Sequence, residues 1–169
     1  MPQSQPLRRI GAEMSEIRYV IGDATRPEGD GRKAIIHVVN DEGRWGSGFV
    51  LALSARWEKP ERLYRQWHRS GQLSLGKVQL VVVEPVVCVA NMCAQVMGYR
   101  DGKPPIRWDA LEICLSKVAA WATREKASVH GPRFAAGLAG GTWDEVEPII
   151  LRTLCAAGVP VTIYDFLGA

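Results

Sequence analysis

Two short glycine-rich stretches are where this sequence has the residue types to do chemistry. The first is Gly46-Ser47-Gly48-Phe49, preceded by Asn40, Asp41 and Trp45; the second runs from Ala136 through Gly137, Leu138, Ala139 and Gly140 to Gly141. Each lies where an apolar run hands over to a helix-like segment. Glycine weakens the interior of either element, so clustering it at such a junction answers a backbone need. One such need is an anion. Glycines let the main chain approach a ligand closely, and loop amides backed by a helix N-terminus favour negative charge. Two facing loops suit a diphosphate better than a single phosphate. A pair of ordinary tight turns reads equally well from the spacing alone. Other phosphate motifs do not match: neither stretch ends in Gly-Lys-Ser/Thr, and a dinucleotide fingerprint would put a third glycine where Leu51 stands. Asp144 and Glu145, just after the second stretch, would repel an anion, which leaves the amides of Gly137 to Gly140 to meet it.

The elements that must hold these loops follow from the hydrophobic pattern. Ile17 to Gly22 and the nearly continuous apolar run Ala34 to Val39 predict strands, the second covered on both faces. Helices are predicted over Phe49 to Trp57 and Pro60 to Arg69, with Pro60 suited to a first turn. Val78 to Val83 and Val86 to Ala94 predict two strands, and Gly98 to Pro105 a loop. Arg107 to Lys126 carries apolar residues at helical spacing. A brief strand, Ser128 to Gly131, leads into the second glycine stretch. Thr142 and Glu145 fit a capping box for a helix to about Ala157, closed by Gly158, and Val159 to Phe166 is the last strand. The alternation predicts an α/β fold: a three-layer α/β/α sandwich with a mixed, mostly parallel central sheet. The ends of parallel strands are where such sheets bind ligands. Five tryptophans (Trp57, Trp67, Trp108, Trp121 and Trp143) fit helix-face packing, whereas Trp45 is expected to project from the first loop.

Composition excludes several classes. The 169 residues are 47% apolar and 23% charged, an ordinary soluble balance, with length for one domain over 15–169. Residues 1–14 are polar, with Arg8 and Arg9, and are read as a loose tail, not a secretory signal. No apolar run reaches membrane-spanning length. The net charge of +3 is dispersed, which argues against nucleic acid as a partner. Cys88, Cys93, Cys114 and Cys155 lack metal-like spacing and His37, His68 and His130 are scattered, so no metal site and a reducing, cytoplasmic setting are expected. Nothing in the pattern signals an oligomer, and a monomer is expected.

Taken in order and spacing, these residues resemble the macrodomain family, whose members bind ADP-ribose. "YVIGDAT" at 19–25 is similar to the family's opening strand and Gly-Asp. "IIHVVNDEGRWGSGF" at 35–49 is similar to its second strand, asparagine and first phosphate loop. "HGPRFAAGLAGGTW" at 130–143 resembles its second phosphate loop, and "VTIYDF" at 161–166 its last strand. The likeness covers about Ile17 to Phe166 and is strongest to the branch of the terminal ADP-ribose–protein glycohydrolase and its bacterial relatives. The resemblance implies that Asp23 accepts from the adenine amino group with the Ala24 amide nearby, and that Phe166 or Leu167 packs on the base. It implies that Asn40 faces the distal ribose beside Asp41, with Trp45 shielding the sugar and Gln95 close by. Gly46, Ser47, Gly48 and Phe49 would wrap one side of the diphosphate, and Ala136, Gly137, Leu138, Ala139 and Gly140 the other.

The same resemblance implies a hydrolase that removes mono-ADP-ribose from acidic side chains of modified proteins, without cofactor. The eukaryotic member of that branch uses a lysine and an aspartate. Here the lysine position falls near Cys93 and the aspartate position at Ala139, so a covalent lysine mechanism is not expected. Asn40 and Asp41 are then the candidate catalytic residues, holding the sugar or polarising a water; a Cys93 nucleophile is a further option. The alternatives are a reader that binds ADP-ribose without chemistry and a phosphatase acting on ADP-ribose 1″-phosphate.

Overall fold

A computed structural model describes residues 13–167; all but the last two residues of the expected tail at 1–14 lie outside this range. Six strands form one sheet in the order β1-β6-β5-β2-β4-β3. They are β1 (Ile17–Ile21), β2 (Lys33–Asn40), β3 (Val78–Glu84), β4 (Val87–Gln95), β5 (Ser128–Gly131) and β6 (Val161–Asp165). All neighbours run parallel except β3, which returns antiparallel along β4. The sheet is therefore mixed and mostly parallel, as the sequence pattern predicts. The central strands β2 and β4 are buried almost throughout, which explains their unbroken apolar runs.

Helices α1 (Phe49–Arg56) and α2 (Lys59–Arg69) cover one face of β2, β4 and β3 around Ile35, Leu53, Tyr64 and Val89. Helices α3 (Trp108–Glu125) and α4 (Trp143–Ile150) cover the other, around Ile36, Leu111, Leu115, Ile150 and Ile163. Trp108, Trp121 and Trp143 pack on this second core and Trp57 and Trp67 on the first, as their spacing implies. The capping box of Thr142 and Glu145 is formed.

Two boundaries differ from the sequence expectation by more than a single residue. The last helix does not run evenly to Ala157: α4 widens into a π-helical turn over Leu151–Cys155, with Ala156 N–H donating to Leu151 O at 2.9 Å. Pro148 inside α4 lacks an amide to donate, and the Thr153 hydroxyl donates to Ile149 O at 2.6 Å, which holds the turns apart. The last strand starts at Val161, because Pro160 has no N–H for the ladder. No helix among the described residues is long and apolar enough to cross a membrane.

Candidate ligand-binding groove

The five parallel strands all end at one edge of the sheet, at Ile21, Asp165, Gly131, Asn40 and Gln95. Asp23 and Ala24 follow β1, Phe166 follows β6, the second glycine loop follows β5, the first follows β2, and Gln95 closes β4. Four strand spacings from β1 to β4 make a line of about 19 Å. Topology thus gathers along one edge residues that lie more than 140 positions apart in the chain.

The first loop is built around the Asn40 side chain, which is buried. Asn40 Oδ1 accepts from the amides of Glu42 (3.0 Å) and Arg44 (3.2 Å), and Nδ2 donates to Arg44 O at 2.8 Å. The Tyr64 hydroxyl donates to Asn40 O at 2.6 Å and also lies 2.9 Å from Asn40 Oδ1. Most of the amide is therefore spent on shaping the loop. Trp45 does not project. It is 5% exposed, its indole N–H donates to Ser54 Oγ at 2.7 Å, and it stacks near His37 and Tyr64. The indole is too large and apolar to leave in water when a core slot lies beneath the loop. Beyond it, Gly46 and Ser47 are exposed, and Gly48, with φ +76°, forms the N-cap of α1 with no side-chain cap and no acid in the first turn.

The second loop is held from behind. Gly140, at φ +83°, leaves room for Pro104: a Cβ there would come within 2.5 Å of the Pro104 Cβ. At Gly141 a Cβ would meet Ala135 O at 2.5 Å and the Trp108 ring at 2.7 Å. Ala139 is buried, and its carbonyl accepts from Ile106 N–H at 3.0 Å, so it backs the loop. Leu138 is 76% exposed and reaches across to the first loop, its Cδ1 lying 3.6 Å from where a Gly48 Cβ would be. Among the described residues, the amides of Gly46, Ser47 and Gly48 on one bank and of Leu138 on the other donate to no protein acceptor, whereas Gly137 is engaged in the parallel bridge between Ala136 and Gly141. At the start of α4, by contrast, Glu145 already accepts from the Thr142 amide at 3.1 Å.

Between and beyond the loops, on the β2–β4 side, lies a cavity of about 590 Å³. Asn40, Trp45, Gly46, Ser47, Gln95 and Leu138 line it, together with Val38, Val39, Arg44, Val50, Arg65, Val96, Met97, Gly98, Tyr99 and Pro105. Its only charged lining groups are Arg44 and Arg65. Arg65 is partly committed, donating to Gly43 O at 3.2 Å and pairing with Glu61 at 2.9 Å. Sequence reasoning missed Arg44, Tyr64, Arg65 and the Met97–Tyr99 segment. Only the loop glycine Gly98 and the aromatic Tyr99 hinted at the last of these.

Other expected residues fall outside this cavity. Asp41 does not line it, and Asp41 Oδ1 is buried with no hydrogen-bond partner. Cys93 is buried in β4 and does not line the cavity, and burial above all, with Asp41 and Cys114 adding, pushes its thiol up to about 12, which disfavours the thiolate. All four cysteines are free and buried. Asp23 Oδ1 is taken by the Thr25 amide (2.8 Å) and hydroxyl (2.7 Å) in a turn, and Oδ2 lies 4.0 Å from Arg26 Nε, a long pairing that leaves it able to accept. Ala24 is buried, and Phe166 stands 67% exposed at the strand edge.

Comparison with known proteins places this arrangement. No protein-family model matches the chain. It is 34% identical over 163 residues to mouse (Mus musculus) chromodomain-helicase-DNA-binding protein 1-like, a match over 91% of this chain. The chain spans under a fifth (18%) of that relative's length. Among solved structures, a protein of unknown function from Bacteroides thetaiotaomicron is 52% identical, with TM-score 0.87 over 89% of this chain and 98% of that one. A macrodomain protein from Streptomyces coelicolor is also 52% identical, with TM-score 0.79 over 89% of this chain and 99% of that one. At 19% identity, Thermosipho africanus DarTG in complex with ADP-ribose shares the fold, with TM-score 0.66 over 78% of this chain and 37% of that one. The chain belongs to the macrodomain family.

Proposed function

We propose that this chain binds ADP-ribose along the strand edge and releases it from glutamate or aspartate side chains to which it is ester-linked. The observation that carries the reading is the pair of facing glycine loops, where the amides of Gly46, Ser47 and Gly48 on one bank and of Leu138 on the other find no acceptor among the described residues. A diphosphate between them accepts from both banks, at a helix N-terminus whose cap is a glycine and whose first turn holds no acid. The adenine then lies toward Asp23 Oδ2, Ala24 and Phe166, and the distal ribose in the cavity near Asn40 and Gln95. Thermosipho africanus DarTG, a structural neighbour solved in complex with ADP-ribose, supports the same ligand class.

The cavity's chemistry is limited by its lining, which holds no carboxylate, thiol, imidazole or ammonium. Cleaving a bond from the ribose C1″ to a hydroxyl or guanidine requires protonation of a poor leaving group. An ester leaves as a carboxylate whose conjugate acid has a pKa of roughly 4, so no general acid is required. Water attacks C1″, the carboxylate departs with the bonding pair, and the water's proton passes to solvent. Asn40 and Gln95 hold the sugar and the water; such positioning supplies ~7 kcal/mol or more in ideal geometry. A reader without chemistry is the second reading, favoured by the same bare lining.

Calorimetry with ADP-ribose tests the ligand: absence of heat at millimolar concentration ends the proposal. Incubation with a glutamate-linked ADP-ribosylated protein tests the chemistry. Release of free ADP-ribose is expected. Binding with the label intact after hours selects the reader, and phosphate release from ADP-ribose 1″-phosphate would point to the phosphatase.

A further inference from the structure

Helix α2 grips the first loop with side chains at i, i+3, i+4 and i+7, one face of the helix. Glu61 accepts from the Ser54 hydroxyl at 3.1 Å, which in turn accepts from the Trp45 indole. Tyr64 reaches Asn40, Arg65 donates to Gly43 O and also contacts Trp45 O at 3.5 Å, and the His68 ring packs where a Gly43 Cβ would come within 2.5 Å of it. None of these α2 residues belongs to either glycine loop.

Their combined effect falls on the Asn40 amide. Its oxygen accepts from the Glu42 and Arg44 amides, and the single proton of the Tyr64 hydroxyl bridges Asn40 O at 2.6 Å and Oδ1 at 2.9 Å. Its nitrogen spends one N–H on Arg44 O. Turning the amide over would set its NH₂ against the two main-chain N–H groups, so its orientation is fixed. Asn40 thus lines the cavity with one N–H uncommitted among the described residues.

We infer that Tyr64 is a positioning residue: its hydroxyl holds the Asn40 amide so that an N–H, not a carbonyl, faces the distal end of the cavity, which selects ligands carrying an oxygen-rich second sugar beyond the diphosphate. The inference rests on the ADP-ribose reading above and adds a residue and a selectivity to it. ADP is the discriminating probe, because it shares the adenosine and diphosphate and lacks the second sugar.

The test is calorimetry of wild type and Tyr64→Phe with ADP-ribose and with ADP. The phenyl ring keeps the packing and only the hydroxyl is lost. The Kd for ADP-ribose should rise about tenfold, the scale of one hydrogen bond, with the Kd for ADP within about twofold of wild type. A purely structural role for Tyr64 would move both ligands together or neither, and either result overturns the inference. If the variant does not fold, nitrogen-15 NMR of the wild type decides. The Asn40 side-chain N–H signals should shift with saturating ADP-ribose and not with ADP; equal shifts, or none, overturn it. Failure of the wild type to bind ADP-ribose at all would remove the functional reading and this inference with it, an outcome separate from wild-type binding with an indifferent Tyr64→Phe.

Discussion

Replacing Gly48 by glutamate separates a binding effect from a folding effect. Gly48 has φ +76° and ψ −144°, a conformation essentially confined to glycine, so any L side chain there costs about 1–3 kcal/mol. No clash adds to this, since the new Cβ would meet only Leu138 Cδ1, at 3.6 Å, an ordinary contact. For a chain of this size the melting temperature should fall by about 2–12 °C. A domain with the usual 5–15 kcal/mol of stability stays folded. The carboxylate, however, points into the channel between the loops. A unit charge about 4 Å from a phosphoryl charge costs about 4 kcal/mol near a protein surface, or roughly 10³-fold in affinity. Gly48→Ala is the control, with the same backbone cost and no charge. Calorimetry with ADP-ribose on both variants, with melting curves for each, reads the two effects apart. If Gly48→Glu binds ADP-ribose within tenfold of Gly48→Ala, no diphosphate passes between these loops.

Other outcomes follow from the same geometry. Gly140→Ala combines φ +83° with a Cβ only 2.5 Å from Pro104, and should lose about 2–5 kcal/mol, seen as a clear drop in melting temperature even without ligand. An unchanged melting curve would contradict the close packing of the second loop on Pro104. Asp41→Asn should leave ester hydrolysis within about threefold, because Asp41 does not line the cavity; a loss of 10²-fold or more would restore it as a general base. Acid should weaken the fold through His37 and His130, whose pKa values burial lowers to about 4. The unfolded chain binds these two protons near pH 6.5 and the folded chain does not, so no penalty exists above that pH and it grows as pH falls from 6.5 toward 4. Urea titrations at pH 7 and pH 5 should differ by about 2 kcal/mol or more; equal midpoints would mean that neither imidazole is held neutral.

Much of the sheet was legible because apolar runs and breakers are local facts. Ile35 and Val89 sit in runs that only a doubly covered strand needs, and Pro60, Gly158 and the pair Thr142 and Glu145 mark ends by their own chemistry. The loops were legible as places where glycine is required, but their occupants' surroundings were not. Trp45 sits beside Gly46 in sequence, yet its fate depended on Ser54 and Tyr64, which offer a slot and a partner from two other helices. Asn40 was readable as a polar residue ending a strand. That the Tyr64 hydroxyl would bridge its main-chain and side-chain oxygens depends on α2 lying against β2 and β4, which no local pattern states. Asp41 stands beside Asn40 in sequence, but it sits in the turn that follows β2 and does not line the cavity, which depends on how that turn closes and not on a local pattern.

The two loops reach similar geometry by opposite means. The second is fixed by close backbone packing: Gly140 and Gly141 lie so near Pro104, Ala135 and Trp108 that a single methyl group has no room. The first has open space around Gly46 and at most one ordinary contact at Gly48, and its shape is imposed from a distance by Tyr64, Arg65 and His68. Substitutions that damage the second loop should therefore be found at its own glycines and show up as lost stability. In the first loop Gly43, whose Cβ would meet the His68 ring at 2.5 Å, should behave the same way, whereas loss of the Tyr64 hydroxyl on helix α2, one layer away, should show up as altered ligand preference. A ligand spanning both then meets one bank that is rigid because it is crowded and one that is rigid because it is tethered, and only the tethered bank can be retuned without unfolding the protein.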